Sequence, residues 1–147
     1  MAETKTTGPT SGETNLKNLL SGLTAKKDDR LFVFACVPHD QWGEIDEAVK
    51  QAAQMTFIEA EGISLIIPQE VAMAHQIESV YPSRMITLTI HSALDAVGFL
   101  AHITTALAKE GISVNAVAGY FHDHLFVPDA AADKVMAVLA DIAKSQG

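Results

Sequence analysis

The sequence predicts an α+β protein made of two tandem βαββα repeats behind an extra N-terminal helix. Three observations predict it. Between Arg84 and Pro128 an alternating strand, an amphipathic helix and a hairpin follow one another, and the same order runs through the first half of the chain. Leu65-Ile66-Ile67-Pro68 matches Leu125-Phe126-Val127-Pro128 at a constant spacing of 60 residues. Gly43 and Gly98, near the first strands, are 55 apart, so the first copy is shorter by five residues between these points, in its first helix. The agreement of element order across both halves marks an internal duplication. Each copy is one strand short of the common βαββαβ sandwich. The vacant strand position must be filled, by strand exchange between the repeats or by pairing across a dimer, because an open edge invites pairing.

In order, residues 1–13 are polar and read as a loose tail. Leu16, Leu19, Leu20 and Leu23 fall on one face of a helix over 14–24, with Ser11 or Thr14 as its cap and Gly22 near its end. This stripe fits core packing or a lid. Residues 25–30 read as a charged loop, and Leu31–Val37 as a strand buried on both faces, with Cys36 an inert core thiol. The first repeat, 31–77, continues with a loop over 38–43, a helix marked by Ile45, Ala48, Val49 and Ala52, and strands over 55–60 and 63–67. A Glu61-Gly62 turn with Gly at positive φ joins those strands. A short helix over 69–77 and a loop over 78–83 lead to the second repeat, 84–144. Its first strand is Met85–His91. In its first helix Val97, Leu100, Ala101, Thr104, Leu107 and Ala108 form the apolar stripe. Phe99 falls opposite that stripe, so its cover is expected from the other repeat or a second subunit.

Composition narrows the function. The chain has 147 residues, 48% of them hydrophobic, and a net charge of −8. That size buries a sufficient core without a staple. The acidic balance, without a Lys/Arg stripe, argues against nucleic acid and anionic membranes as partners. No apolar run reaches the ~18–20 residues of a spanning helix, and the N-terminus lacks the apolar region of a secretory signal. With Cys36 as the lone cysteine, these features predict a cytoplasmic protein.

The loop Ser92–Gly98 joins a strand end to a helix start, where free N–H groups and the helix dipole favour an anion. Asp95 could cap the helix or accept bonds from an ammonium group, and on the loop alone a capped helix without a ligand is the leading reading. His122-Asp123-His124, placed at the hairpin tip, puts two histidines on one side of a strand, but two ligands make a poor metal site. No nucleophile elbow, P-loop or Cys-based zinc motif is present, so no catalytic residue, metal site or cofactor is expected.

Asp95-Ala96-Val97-Gly98-Phe99-Leu100-Ala101, followed by Leu107-Ala108-Lys109-Glu110-Gly111-Ile112-Ser113-Val114-Asn115, resembles the ACT-domain family. That family carries an Asp-x-Pro-Gly-x-Leu loop and a later Leu-x-x-x-Gly-Ile-x-x-x pattern, and Val97 stands where it often has Pro. The first copy keeps only the spacing: Gly43, the hairpin and Pro68. The resemblance implies ferredoxin-like repeats that bind amino acids at interfaces between modules and regulate rather than catalyse. Carried over by position, the ligand site is Ser92, Asp95, Ala96, Val97 and Gly98 with Asn115 on the next strand. The matching loop of the first copy offers His39, Asp40 and Gly43. The expected partner is a small amino acid, with a homo-oligomer left open. Two rivals remain: a protein-interaction scaffold without a ligand, and a small enzyme using His122, Asp123 and His124.

Overall fold

In the computed structural model, which describes residues 12–146, both halves of the chain pair through their first strands. The elements are α1 (Leu16–Ser21), β1 (Ala25–Val37), α2 (Glu47–Ala52), β2 (Met55–Ile58), β3 (Ile63–Pro68), α3 (Gln69–Ala74), β4 (Val80–Leu88), α4 (Phe99–Lys109), β5 (Asn115–Ala118), β6 (Asp123–Pro128) and α5 (Ala132–Ser145). They build one six-stranded sheet in the order β2-β3-β1-β4-β6-β5, with every pair antiparallel. Each repeat supplies three strands, and the place beside its first strand is taken by the first strand of the other repeat. The missing fourth strand is thus provided between the repeats, by direct β1–β4 pairing. The remaining edges, β2 and β5, are four residues each. Short edges offer little template for further pairing.

Strand alternation sorts the side chains onto two faces. Val33, Ala35, Val37, Ile63, Leu65 and Ile67 face α2 and α3, and pack with Val49 and Ala72. On the same face Ile86, Leu88, Leu125 and Val127 meet Leu19, Leu20 and Leu23 of the N-terminal segment, Ile103 and Leu107 of α4, and Val135 and Leu139 of α5. The α1 stripe is therefore core packing. The opposite face carries no helix among the described residues. There Phe32, Ile66 and Phe126 are buried under one another and under Phe34, Met55 and Met85. Phe32 and Phe34 meet Phe126 edge-on at 6.0 and 5.7 Å, and Arg30 lies 4.9 Å above the Phe32 ring. No helix among the described residues is long and apolar enough to cross a membrane.

The repeat correspondence is closer than the element order required. β2 and β5, and β3 and β6, lie at the same 60-residue spacing throughout. The five-residue deficit is in the first helix, six residues in α2 against eleven in α4.

Several local expectations need correction. Residues 25–30 are strand, because β1 begins at Ala25 and pairs there with Leu88, Thr87 and Ile86. β4 likewise begins at Val80, within the expected 78–83 loop, and bulges where Tyr81 takes φ +59°. Asn15 caps α1 by accepting from the Asn18 N–H; Ser11 and most of the expected tail lie outside the described residues. The first hairpin turn spans Glu59–Gly62 and is closed by the Glu59 N–H to the Gly62 carbonyl at 2.9 Å. Gly62 is not at positive φ; a Cβ there would stand 2.6 Å from the Val37 carbonyl oxygen, so close approach to β1 requires the glycine. Cys36 is exposed, since it faces the helix-free side opposite Ser64.

Phe99 is the largest correction. It is 3% exposed and lies in the core of its own repeat, on the α4 face that also presents Ile103 and Leu107. Val97 precedes the helix and is 84% exposed, so it does not belong to the stripe. Spacing i, i+4, i+8 from Phe99 gives the true phase. Phe99→Ala should therefore cost about 3–5 kcal/mol in urea unfolding, whereas Val97→Ala should stay within about 0.5 kcal/mol. Equal effects would disprove this phase.

Candidate functional site

The residues between β4 and α4 shape a pocket of about 170 Å³. Its walls come from Ser92, Ala93, Leu94, Ala96 and Gly98 of the loop, from Phe99, Leu100 and Ala101 of the first helical turn, and from Ala118, Gly119 and Asp123 of the β5–β6 hairpin. The loop is held from outside by the N-terminal segment: the Glu13 N–H donates to His91, and the Ala93 N–H donates to Glu13. Within the loop the Ala96 N–H donates to the Ala93 carbonyl at 3.0 Å.

Gly98 is the N-cap of α4 at φ +91°, and no side chain caps the helix. The first-turn N–H groups of Phe99, Leu100 and Ala101 have no intrahelical acceptors and border the pocket. Across from them is Asp123, 8% exposed on the helix-covered face of β6. The Ser92 hydroxyl donates to its Oδ2 at 3.4 Å, a long bond. Burial pushes the Asp123 carboxyl above its ordinary range, against the weaker opposing pulls of Ser92, His124 and His122. His124, on the opposite face, shares a 2.9 Å hydrogen bond between its Nδ1 and the Thr87 hydroxyl. Its imidazolium is disfavoured first by burial and then by His122.

Ser92, Ala96 and Gly98 thus line the pocket as positioned from sequence. Asp95 and Val97 are exposed beside it and do not line it, and Asp95 makes no cap. Asn115 is exposed on the helix-free face, paired opposite Phe126, so it stands apart from the pocket. His39, Asp40 and Gly43 lie on a 3-10 helix, His39–Glu44, where His39 Nε2 is 2.7 Å from the Glu59 carbonyl oxygen. His122 and Asp123 are not both at a tip: the turn is Gly119–His122, and Asp123 opens β6. Among the described residues no group of three or more His, Cys, Asp or Glu is placed to hold a metal ion.

The sequence alone places Asp123 at the hairpin tip between two histidines, and not in the ligand site. The signal for its role lies in the duplication. At the 60-residue spacing its counterpart is Ile63, 6% exposed and packed in the first repeat's core. A carboxylate replaces a core isoleucine, so the fold does not require the charge. The larger trough along α1, α4 and α5, about 700 Å³, touches Gly98 but contains no buried charge.

Two family profiles described as ACT domain match the chain, one over residues 11–84 and the other over 80–141. The chain belongs to the ACT-domain family. A Vibrio cholerae protein of unknown function, described as a possible transport protein, shares 34% identity at a TM-score of 0.75, covering 87% of this chain and 95% of that one. A protein from Agrobacterium tumefaciens shares 17% identity at a TM-score of 0.63 over 82% of this chain and 89% of its own. The regulatory subunit of aspartate kinase from Thermus flavus shares 13% identity at a TM-score of 0.57, over 82% and 97%. The last two likenesses are of fold. No curated protein matches the chain. The pocket lies in the second ACT repeat, at the end of its first strand and the start of its first helix.

The buried carboxylate has a stability consequence. Because its folded-state value is raised, the folded chain keeps a proton that the unfolded chain has lost in the window above the ordinary 3.8. Stability therefore falls as pH rises through that window and stays lower above it. Asp123→Asn should raise Tm at pH 7, and the gain should shrink toward pH 4. A variant less stable than the parent at pH 7 would refute this. Gly98→Ala should cost about 1–2 kcal/mol through its positive φ alone, because the added Cβ meets only Leu16 at an ordinary 3.5 Å. For the same reason a β-branched residue at 98 would perturb the helix start and is not a clean probe of binding.

Proposed function

We propose that this ACT protein is a regulatory sensor that binds a small α-amino acid in the pocket of its second repeat, without catalysing a reaction on it. The observation that carries the reading is Asp123: a carboxylate 8% exposed, facing the uncapped start of α4, where the duplicated copy has Ile63. An α-amino acid presents one anionic and one cationic group a few ångströms apart. The carboxylate suits the free N–H groups of Phe99, Leu100 and Ala101 and the positive end of the helix dipole. The ammonium suits Asp123, with the Ser92 hydroxyl as an additional acceptor. Likeness in fold to the regulatory subunit of aspartate kinase agrees with a regulatory role.

Calorimetric titration with the standard amino acids tests the reading. At least one should bind, and Asp123→Asn should weaken it by about 2 kcal/mol or more, roughly thirtyfold, because a buried charge pair loses one partner. Binding should also become weaker as pH falls through the raised carboxyl range of Asp123. Affinity that is unchanged in Asp123→Asn would remove this carboxylate from the site.

A further inference from the structure

We infer that the ligand of this pocket carries an apolar side chain, held by Tyr120 and Phe121 at the tip of the β5–β6 hairpin; the inference rests on the amino-acid reading of the pocket. Tyr120 and Phe121 are 58% and 50% exposed. Hairpin tips ordinarily take Gly, Asn, Asp or Ser, which suit the turn and water. Two adjacent exposed aromatics need another reason.

The first repeat shows that the turn does not supply it. Gly119-Tyr120-Phe121-His122 corresponds, at the 60-residue spacing, to Glu59-Ala60-Glu61-Gly62. Both turns are closed by the same hydrogen bond, N–H of the first residue to the carbonyl of the fourth, at 2.9 Å in each. The same hairpin therefore forms around Ala60 and Glu61.

Position supplies the reason. Gly119 and Asp123, on either side of the tip, are pocket walls. The Phe121 ring rests on His91 at 5.4 Å between centroids, and Tyr120 packs edge-on against Phe121 at 4.9 Å. His91 directly precedes the pocket residue Ser92. On the loop side the rim is Leu94, 72% exposed and itself a wall. An amino acid anchored at its head group by α4 and Asp123 would thus extend its side chain between aliphatic and aromatic surfaces.

Charge agrees. Residues 89–101 and 115–124, which form the walls and rim, contain no Lys or Arg. An acidic side chain would meet Asp95 and Asp123 with no Lys or Arg to pair with, only the histidines His91, His122 and His124. A basic one would find Asp95, which is solvent-exposed, and such pairs contribute about 0–1 kcal/mol. Glu13, also near the loop, already accepts from the N–H groups of Thr14 and Asn15 and from the Asn18 side chain.

The experiment titrates the full chain with L-leucine, L-phenylalanine, L-serine, L-aspartate and L-lysine. It repeats the series on Tyr120→Ala/Phe121→Gln, a neutral version of the first repeat's own turn. Leucine or phenylalanine should bind the parent at least about tenfold tighter than the three polar probes. In the double variant that preference should vanish, with Tm unchanged. A parent that prefers aspartate, lysine or serine, or a preference that survives in the double variant, would overturn this inference and leave the amino-acid reading standing. Binding of none of the five would overturn this inference, and binding of none of the standard amino acids would overturn both.

Discussion

The pairing of β1 with β4 sets the place of every other element. Each is a first strand whose outer side would be open in an isolated βαββα unit, and each closes the other. The buried polar residue at this seam is Ser83, whose hydroxyl donates to the Phe32 carbonyl at 3.1 Å. Ion pairs stitch the solvent end: Lys27 to Asp133 at 2.7 Å, and Arg84 to Asp129 at 2.6 Å with a further bond to the Asp29 carbonyl. Exposed pairs of this kind contribute little singly. The seam is held chiefly by Phe32, Ile66 and Phe126, which cross it on the helix-free face and make the two repeats share one core.

On this shared scaffold the copies have diverged at one corner. In the first repeat, the loop after β1 winds into a 3-10 helix, and Trp42 and Ile45 pack against the core cluster that contains Ile63. Lys50 then covers the Trp42 ring at 4.6 Å. In the second, the equivalent loop stays open over a buried carboxylate. The N-terminal segment supports it: Leu19 and Leu20 of α1, and Leu23 after it, enlarge the second core, and residue 13 bridges the loop at Ser92. The extra helix thus adds packing to the repeat that carries the charge. A buried charge lowers stability, and the additional apolar burial offsets it.

Much of this was legible in the sequence, and the failures have physical causes. Element order, the 60-residue register and the shortened first helix could be read because strand alternation and helical stripes are local patterns. The first half of β1 could not. Its Lys26-Lys27-Asp28-Asp29-Arg30 run looks like a loop, but its strand conformation comes from pairing with residues distant in sequence. Phe99 was misplaced because Val97, which is not helical, was counted into the stripe while Ile103 was left out. In the site, Ser92, Ala96 and Gly98 followed from the motif. Asn115 did not, since its alternation in β5 turns it to the helix-free face.

The residue with most chemical consequence, Asp123, was hidden for a different reason. In isolation, an Asp between two histidines near a turn is unremarkable, and turn chemistry explains it. Its meaning appears only against Ile63. Two copies of one fold within a chain answer which residues that fold needs: Leu65, Ile66 and Ile67 repeat as Leu125, Phe126 and Val127, all buried in both halves. Two residues before this shared run the copies differ by a full change of class, from a core isoleucine to a buried carboxylate. The differences continue back through the turn, from Ala60 and Glu61 to Tyr120 and Phe121. Asp123 lines the pocket beside a helix start without a side-chain cap, and the two aromatics directly follow another wall residue, Gly119. A bound molecule, as proposed above, would give the buried charge and the neighbouring exposed aromatics one common reason.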